Sequence, residues 1–134
     1  MEKRKLELLS PARNHEIAKA AIDCGADAVY IGYEKFGARS VATNSLEDIK
    51  KTVNYAHLFG ARVYVTMNTL LFDEELNAAK QAVNELYEAK VDAIIVQDMA
   101  YLQFLNVPIQ LHGSTQMNCF TKEKLKFQTL LNIL

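Results

Sequence analysis

The chain has 134 residues, half of them apolar, and its 15 basic and 16 acidic side chains leave a formal charge of −1. That composition supports one hydrophobic core and one domain, and it argues against a surface built to neutralise many phosphates, which needs clustered Lys and Arg. No stretch approaches the roughly 20 apolar residues that cross a bilayer, and the start shows no signal-peptide pattern, so a cytoplasmic protein with no membrane partner is expected.

Residues 6–9 read as a first strand that stops at Ser10-Pro11, because proline cannot continue a central ladder. Asn14 then caps a helix in which Ile17, Ala20, Ala21 and Cys24 repeat at helical spacing, and Gly25 closes it in a left-handed conformation. Cys24 is expected as a buried thiol and Cys119, after a polar turn, as an exposed one. The two form no metal spacing and fit a reduced compartment. Residues 27–31 read as a second strand, followed by a polar loop over 32–44, long beside the usual 2–6 or so residues.

Ser45 and Asp48 have capping-box spacing, and Leu46, Ile49, Val53 and Ala56 mark the buried stripe of the helix they open. Gly60 ends it, and residues 62–67 form a third strand. Asp73 begins an acidic turn suited to the positive end of a helix dipole, before a stripe of Leu76, Ala79, Val83 and Leu86. Residues 91–96 read as a fourth strand, Asp98 as the cap of a short helix with Leu102 and Leu105, and residues 107–111 as a fifth strand. Thr121 starts a last helix with Phe127, Leu130, Leu131 and Leu134 on one side.

Strands apolar on both faces, alternating with amphipathic helices, predict an α/β fold with a parallel sheet covered by helices. The units share a weak grammar: Gly25-Ala26-Asp27 is echoed at Gly60-Ala61-Arg62, and Asp27-Ala28-Val29 at Asp92-Ala93-Ile94. A doubly wound nucleotide fold should carry a glycine-rich turn after its first strand, and Ser10-Pro11-Ala12-Arg13-Asn14 has no glycine. The expectation is therefore a partial TIM-like (β/α) barrel of about five parallel strands. A whole barrel needs roughly 250 residues, so residues 1–134 are expected to form one truncated domain, with the sixth strand due after residue 134. An open sheet edge then predicts a homo-oligomer.

In such a barrel, function gathers where strands run into the following loops. The candidate substrate-binding residues there are Arg39, Asn68, Gln97, Asp98, His112, Ser114, Gln116 and Asn118, densest between 112 and 118. Arg39 would grip an anionic group and the amides and hydroxyls would hydrogen-bond a polar one. Plainer roles compete: Asp98 as a helix cap, Ser114 and Asn118 as turn residues, His112 as a satisfied buried histidine, Phe36-Gly37 as a loop anchor. His15 and His57 fall on helices as packing or surface residues. No Ser-His-Asp order, HExxH or paired acidic cluster is present, so catalytic residues and a metal site are not assigned.

Several runs taken in order resemble a known family. They are Leu6-Glu7-Leu8-Leu9-Ser10-Pro11-Ala12, the stretch from Gly25 through Tyr30-Ile31-Gly32, Phe36-Gly37-Ala38-Arg39, Val63-Tyr64-Val65-Thr66-Met67-Asn68-Thr69-Leu70, Val96-Gln97-Asp98 and Ser114-Thr115-Gln116-Met117-Asn118. Together they resemble the collagenase-like peptidases of unknown catalytic type, the "U thirty-two" peptidases, over residues 6–118. The resemblance implies a barrel-like N-terminal domain and a hydrolase or protease that acts on peptide. The alternative it implies is a factor for hydroxylating RNA or a small molecule. The family's iron–sulfur cysteines belong to a later part of the chain, so no cofactor is expected within this one. A catalytically inactive binding fragment is the third reading.

Overall fold

A computed structural model describes residues 6–38, 44–104, 106–131 and 133. Among them β1 (Leu9–Ala12), β2 (Ala28–Gly32), β3 (Arg62–Met67), β4 (Ala93–Val96) and β5 (Gln110–Gly113) alternate with five helices. These are α1 (His15–Asp23), α2 (Leu46–Leu58), α3 (Leu76–Glu88), α4 (Tyr101–Phe104) and α5 (Lys122–Leu130). All strands pair in parallel in the order β1-β2-β3-β4-β5. Consecutive order without reversal is how a barrel winds, whereas a doubly wound sheet reverses at a switch point.

Strand alternation gives the sheet two different faces. Val29, Ile31, Val63, Val65, Met67, Ile94, Val96 and Leu111 join one core with Ile22, Ile49, Val53, Val83 and Leu86 of the helices. Each fully buried aliphatic there contributes about 1.5–3 kcal/mol. The opposite face, which a closed barrel would enclose, holds a small cluster of Ala28, Tyr64 and Ala93 with Tyr30 and Ile95 packed on it.

The local signals act largely as the sequence predicts. Asn14 Oδ1 accepts from the Ile17 N–H at 3.0 Å. The Ser45 hydroxyl accepts from the Asp48 N–H while the Asp48 carboxylate accepts from the Ser45 N–H, completing the capping box despite the short acid. Gly25 and Gly60 take the left-handed conformation after α1 and α2, with φ of 97° and 70°.

Three expectations are corrected. The first strand lies later, at Leu9–Ala12, and runs through Pro11, which an edge strand tolerates because its missing N–H faces no partner. The buried stripe of α1 is Ala18 and Ile22, with Ala21 partly covered, so Ile17 and Cys24 are exposed. On α5, Leu131 packs against the core but Phe127 is 57% exposed. Leu125 and Phe127 stand two positions apart among lysines and cannot share a face. Leu105 and Leu134 lie outside the described residues.

Beyond α5, Ile133 is buried and forms an isolated parallel bridge to Leu111.

Candidate functional site

The register places three of the expected residues on one level. Thr66 pairs with Ile95 and Val96 with Gly113, so Asn68, Gln97 and Ser114 stand side by side beyond the ends of β3, β4 and β5. All three continue the alternation of Thr66, Ile95 and His112 and so belong to the inner face of the sheet.

Neighbouring strand ends are stapled together in sequence. The buried Asn44 amide donates to the Arg13 and Gly32 carbonyls, both at 2.9 Å, tying the second loop to the first. Asn68 Oδ1 accepts from the Ala38 N–H at 3.1 Å, tying β3 to the second loop. Asp98 accepts from Leu71 N–H at 2.9 Å and from Ala100 N–H at 2.8 Å, tying β4 to the third loop while capping its own turn. Asp98 therefore spends both carboxylate oxygens on backbone. Ser114 donates its N–H to the Val96 carbonyl at 2.8 Å and its hydroxyl to Gln116 Oε1 at 3.3 Å.

The loop after β2 is the most heavily braced. Phe36 takes φ of 62°, a conformation that costs a bulky residue about 1–3 kcal/mol. Its carbonyl accepts from the Thr69 hydroxyl at 3.2 Å, and its ring packs on the core. Gly37 is required: a Cβ there would lie 2.8 Å from the Tyr33 carbonyl oxygen. Tyr33 in turn donates to Glu85 at 3.0 Å, which also pairs with Lys35 at 3.1 Å. Burial first, then Glu85, raises the Tyr33 hydroxyl above its ordinary pKa. Phe36-Gly37 is thus a loop anchor, as one sequence reading held. Arg39, which follows it, lies outside the described residues.

His112 faces another neighbourhood. It stands one pleat below Gln97 and Ser114, with its ring edge-on to Tyr64 at 4.7 Å. Tyr64 donates to Glu7 at 2.9 Å and Glu7 pairs with Arg62 at 3.2 Å. Burial is the main cause that lowers the His112 pKa from its ordinary value, and the ring forms part of the inner wall. Asn118 adopts φ of 52° at the end of a 3-10 turn over Thr115–Met117, a left-handed position that Asn tolerates, and its carbonyl accepts from Lys124 at 3.1 Å.

What remains for a ligand is amide chemistry. Among the described residues the Gln97 amide makes no hydrogen bond, and Asn68 and Gln116 keep their NH₂ groups unpaired. The brace roles of Thr69, Asn44 and Glu85 carry no signal in the sequence, because a side-chain bond to a distant partner leaves no spacing pattern. Among the described residues no three His, Cys, Asp or Glu side chains converge on a possible metal. Cys24 ends α1 and leads into β2, while Cys119 lies beyond β5, so they occupy opposite ends of the strands. An iron–sulfur group does not fit these residues.

The sequence profile described as peptidase family U32 matches residues 13–133. The chain is 54% identical over 123 residues to the 23S rRNA 5-hydroxycytidine C2501 synthase of Escherichia coli (strain K12), covering 92% of this chain and 19% of that protein. It is 36% identical over 128 residues to tRNA hydroxylation protein P1 of Bacillus subtilis (strain 168), covering 92% and 30%. It is 32% identical over 130 residues to a collagenase of Porphyromonas gingivalis (strain ATCC BAA-308 / W83), covering 95% and 31%. The chain thus spans less than a third of the length of each of these relatives. Among solved structures, the U32 peptidase Mk0906 superposes with a TM-score of 0.74 at 14% identity, over 99% of this chain and 59% of that one. Phosphonopyruvate hydrolase follows the same fold with a TM-score of 0.66 at 14% identity, over 97% and 52%.

Proposed function

The chain belongs to peptidase family U32, and from that premise we propose that it is the front portion of an RNA-hydroxylating protein whose strand-end face binds RNA. The observation that carries this reading is the 54% identity to an rRNA 5-hydroxycytidine synthase, against 32% to a collagenase, over comparable spans. The sequence-level preference for a peptide substrate gives way to its alternative on that ground. A cytoplasmic location follows from an RNA substrate.

The chemistry is compatible. Unpaired amides at the strand ends suit base edges, which present donors and acceptors together. Lys122, Lys124 and Lys126 are exposed on α5, on the segment that follows the β5 loop, and offer phosphate contacts that a net charge of −1 conceals. Asn68, Gln97 and Gln116 bind substrate in this reading, and Arg39 contacts phosphate. Asp98, Ser114 and Asn118 shape the loops that present them, and His112 closes the wall beneath. The 134 residues form a single partial barrel domain, and the reaction itself needs the remainder of a longer protein.

Fluorescence anisotropy with a labelled single-stranded RNA and a labelled collagen-type peptide decides between the substrate classes. RNA should bind, and Arg39→Ala with Gln116→Ala should weaken it without loss of the circular-dichroism signal. Unchanged RNA affinity in the double variant, or preference for the peptide, would sink the reading.

A further inference from the structure

A cavity of about 460 Å³ opens beside the strand ends, between the loops after β3, β4 and β5 and the side of α5. That is within the range of small-molecule sites. Gln97, Gln116, Gln128, Lys124 and Glu123 supply its polar groups, and Phe127 and Met117 its apolar walls. The Gln97 amide has no hydrogen bond among the described residues, the Gln116 carbonyl accepts from Ser114, and the Gln128 NH₂ points at the Met117 sulfur at 3.6 Å. Three amides therefore leave both donors and acceptors unspent around one apolar hollow. Phe127 is 57% exposed and borders this hollow from the side of α5.

We infer that this cavity is the subsite for one unstacked RNA base, with Phe127 as its stacking platform and the glutamine amides reading its edge. The inference rests on the RNA reading above and deepens it by naming where a base sits. The combination discriminates among ligands. A bare phosphate would need more than the single lysine, whose ammonium already donates to the Asn118 carbonyl at 3.1 Å. An aliphatic side chain would leave the amides unpaired. A nucleobase is planar, apolar on its faces and mixed in donors and acceptors along its edge, and it must leave its stack to be read this way. Lys124 at the rim then lies near the phosphate that follows.

The test uses the 134-residue chain with a short single-stranded RNA carrying 5-iodouridine, irradiated, digested and mapped by mass spectrometry. The crosslink should fall on the peptide holding Phe127 or Met117. Phe127→Leu and Gln97→Leu should each weaken RNA binding roughly tenfold. Phe127 is largely exposed, so its replacement leaves the fold intact, and circular dichroism checks this. If the wild-type chain binds RNA but crosslinks elsewhere and both variants bind normally, the base subsite is wrong and the RNA reading survives. If the wild-type chain binds no RNA, both fall.

Discussion

Asn68 Oδ1 accepts a hydrogen bond from the Ala38 N–H at 3.1 Å, so a strand-end side chain expected to hold substrate holds the neighbouring loop as well. Thr69, the next residue, does the same for Phe36 through its hydroxyl. Two consecutive side chains at the end of β3 thus fix a turn that would otherwise relax from its left-handed strain.

Asn68→Ala should therefore cost about 0.5–1.5 kcal/mol of stability, the net worth of one hydrogen bond. Amide exchange at Ala38 should rise much more than exchange in β3. Equal acceleration at both positions would mean that Asn68 supports the sheet as a whole rather than the loop.

Gly37→Ala places a methyl 2.8 Å from backbone that cannot move independently. A destabilisation of about 1–3 kcal/mol is expected, as for other overpacked sites. Urea denaturation measures it, and a loss below a few tenths would contradict the tight turn.

Acid should destabilise the fold in two stages. The His112 pKa is lowered from 6.5, chiefly by burial, with Glu7 opposing and Arg62 reinforcing the shift. The unfolded chain then takes up this proton more readily, so His112's contribution is present above 6.5 and is lost as pH falls through its lowered value. Asp48, lowered by the Ser45 hydroxyl and N–H, follows below its ordinary 3.8. Glu85 follows below 4.5: burial opposes its shift, and hydrogen bonds from Lys35 and Tyr33 outweigh burial. The urea midpoint should fall on acidification, and His112→Phe should remove the first decline. A midpoint that climbs between roughly pH 7 and 5 would reverse the sign.

Much of the fold is legible in the sequence because its signals are local. Asn14, Ser45 and Gly60 act on backbone within a few residues, and β3, Arg62–Met67, matches the bounds that its mainly apolar run implies. The misplacement of β1 has the opposite origin. Pro11 is excluded from a ladder only when both edges are paired, and that is a property of the whole sheet. The candidate site divides along the same line. The sequence locates Asn68, Gln97 and Asp98 at strand ends, but the division of labour between them depends on partners about thirty residues away, as Leu71 is for Asp98 (|i−j| of 27).

The open sheet carries a further expectation. Among the described residues β1 pairs only with β2, and its first residue Leu9 and the preceding Leu6 and Leu8 are exposed. Self-association through that edge is the proposed remedy. Light scattering across a dilution series should give a dimer mass that holds at low concentration, and a well-folded monomer throughout would remove the proposal.

The most direct test of the RNA-binding face is an amide chemical-shift map of the chain titrated with single-stranded RNA. The account predicts perturbations gathered at Asn68, Gln97, residues 114–118 and the α5 residues Lys124, Phe127 and Gln128. Perturbations gathered instead around Glu7, Arg62 and Tyr64 at the other end of the strands, or none at all, would contradict it.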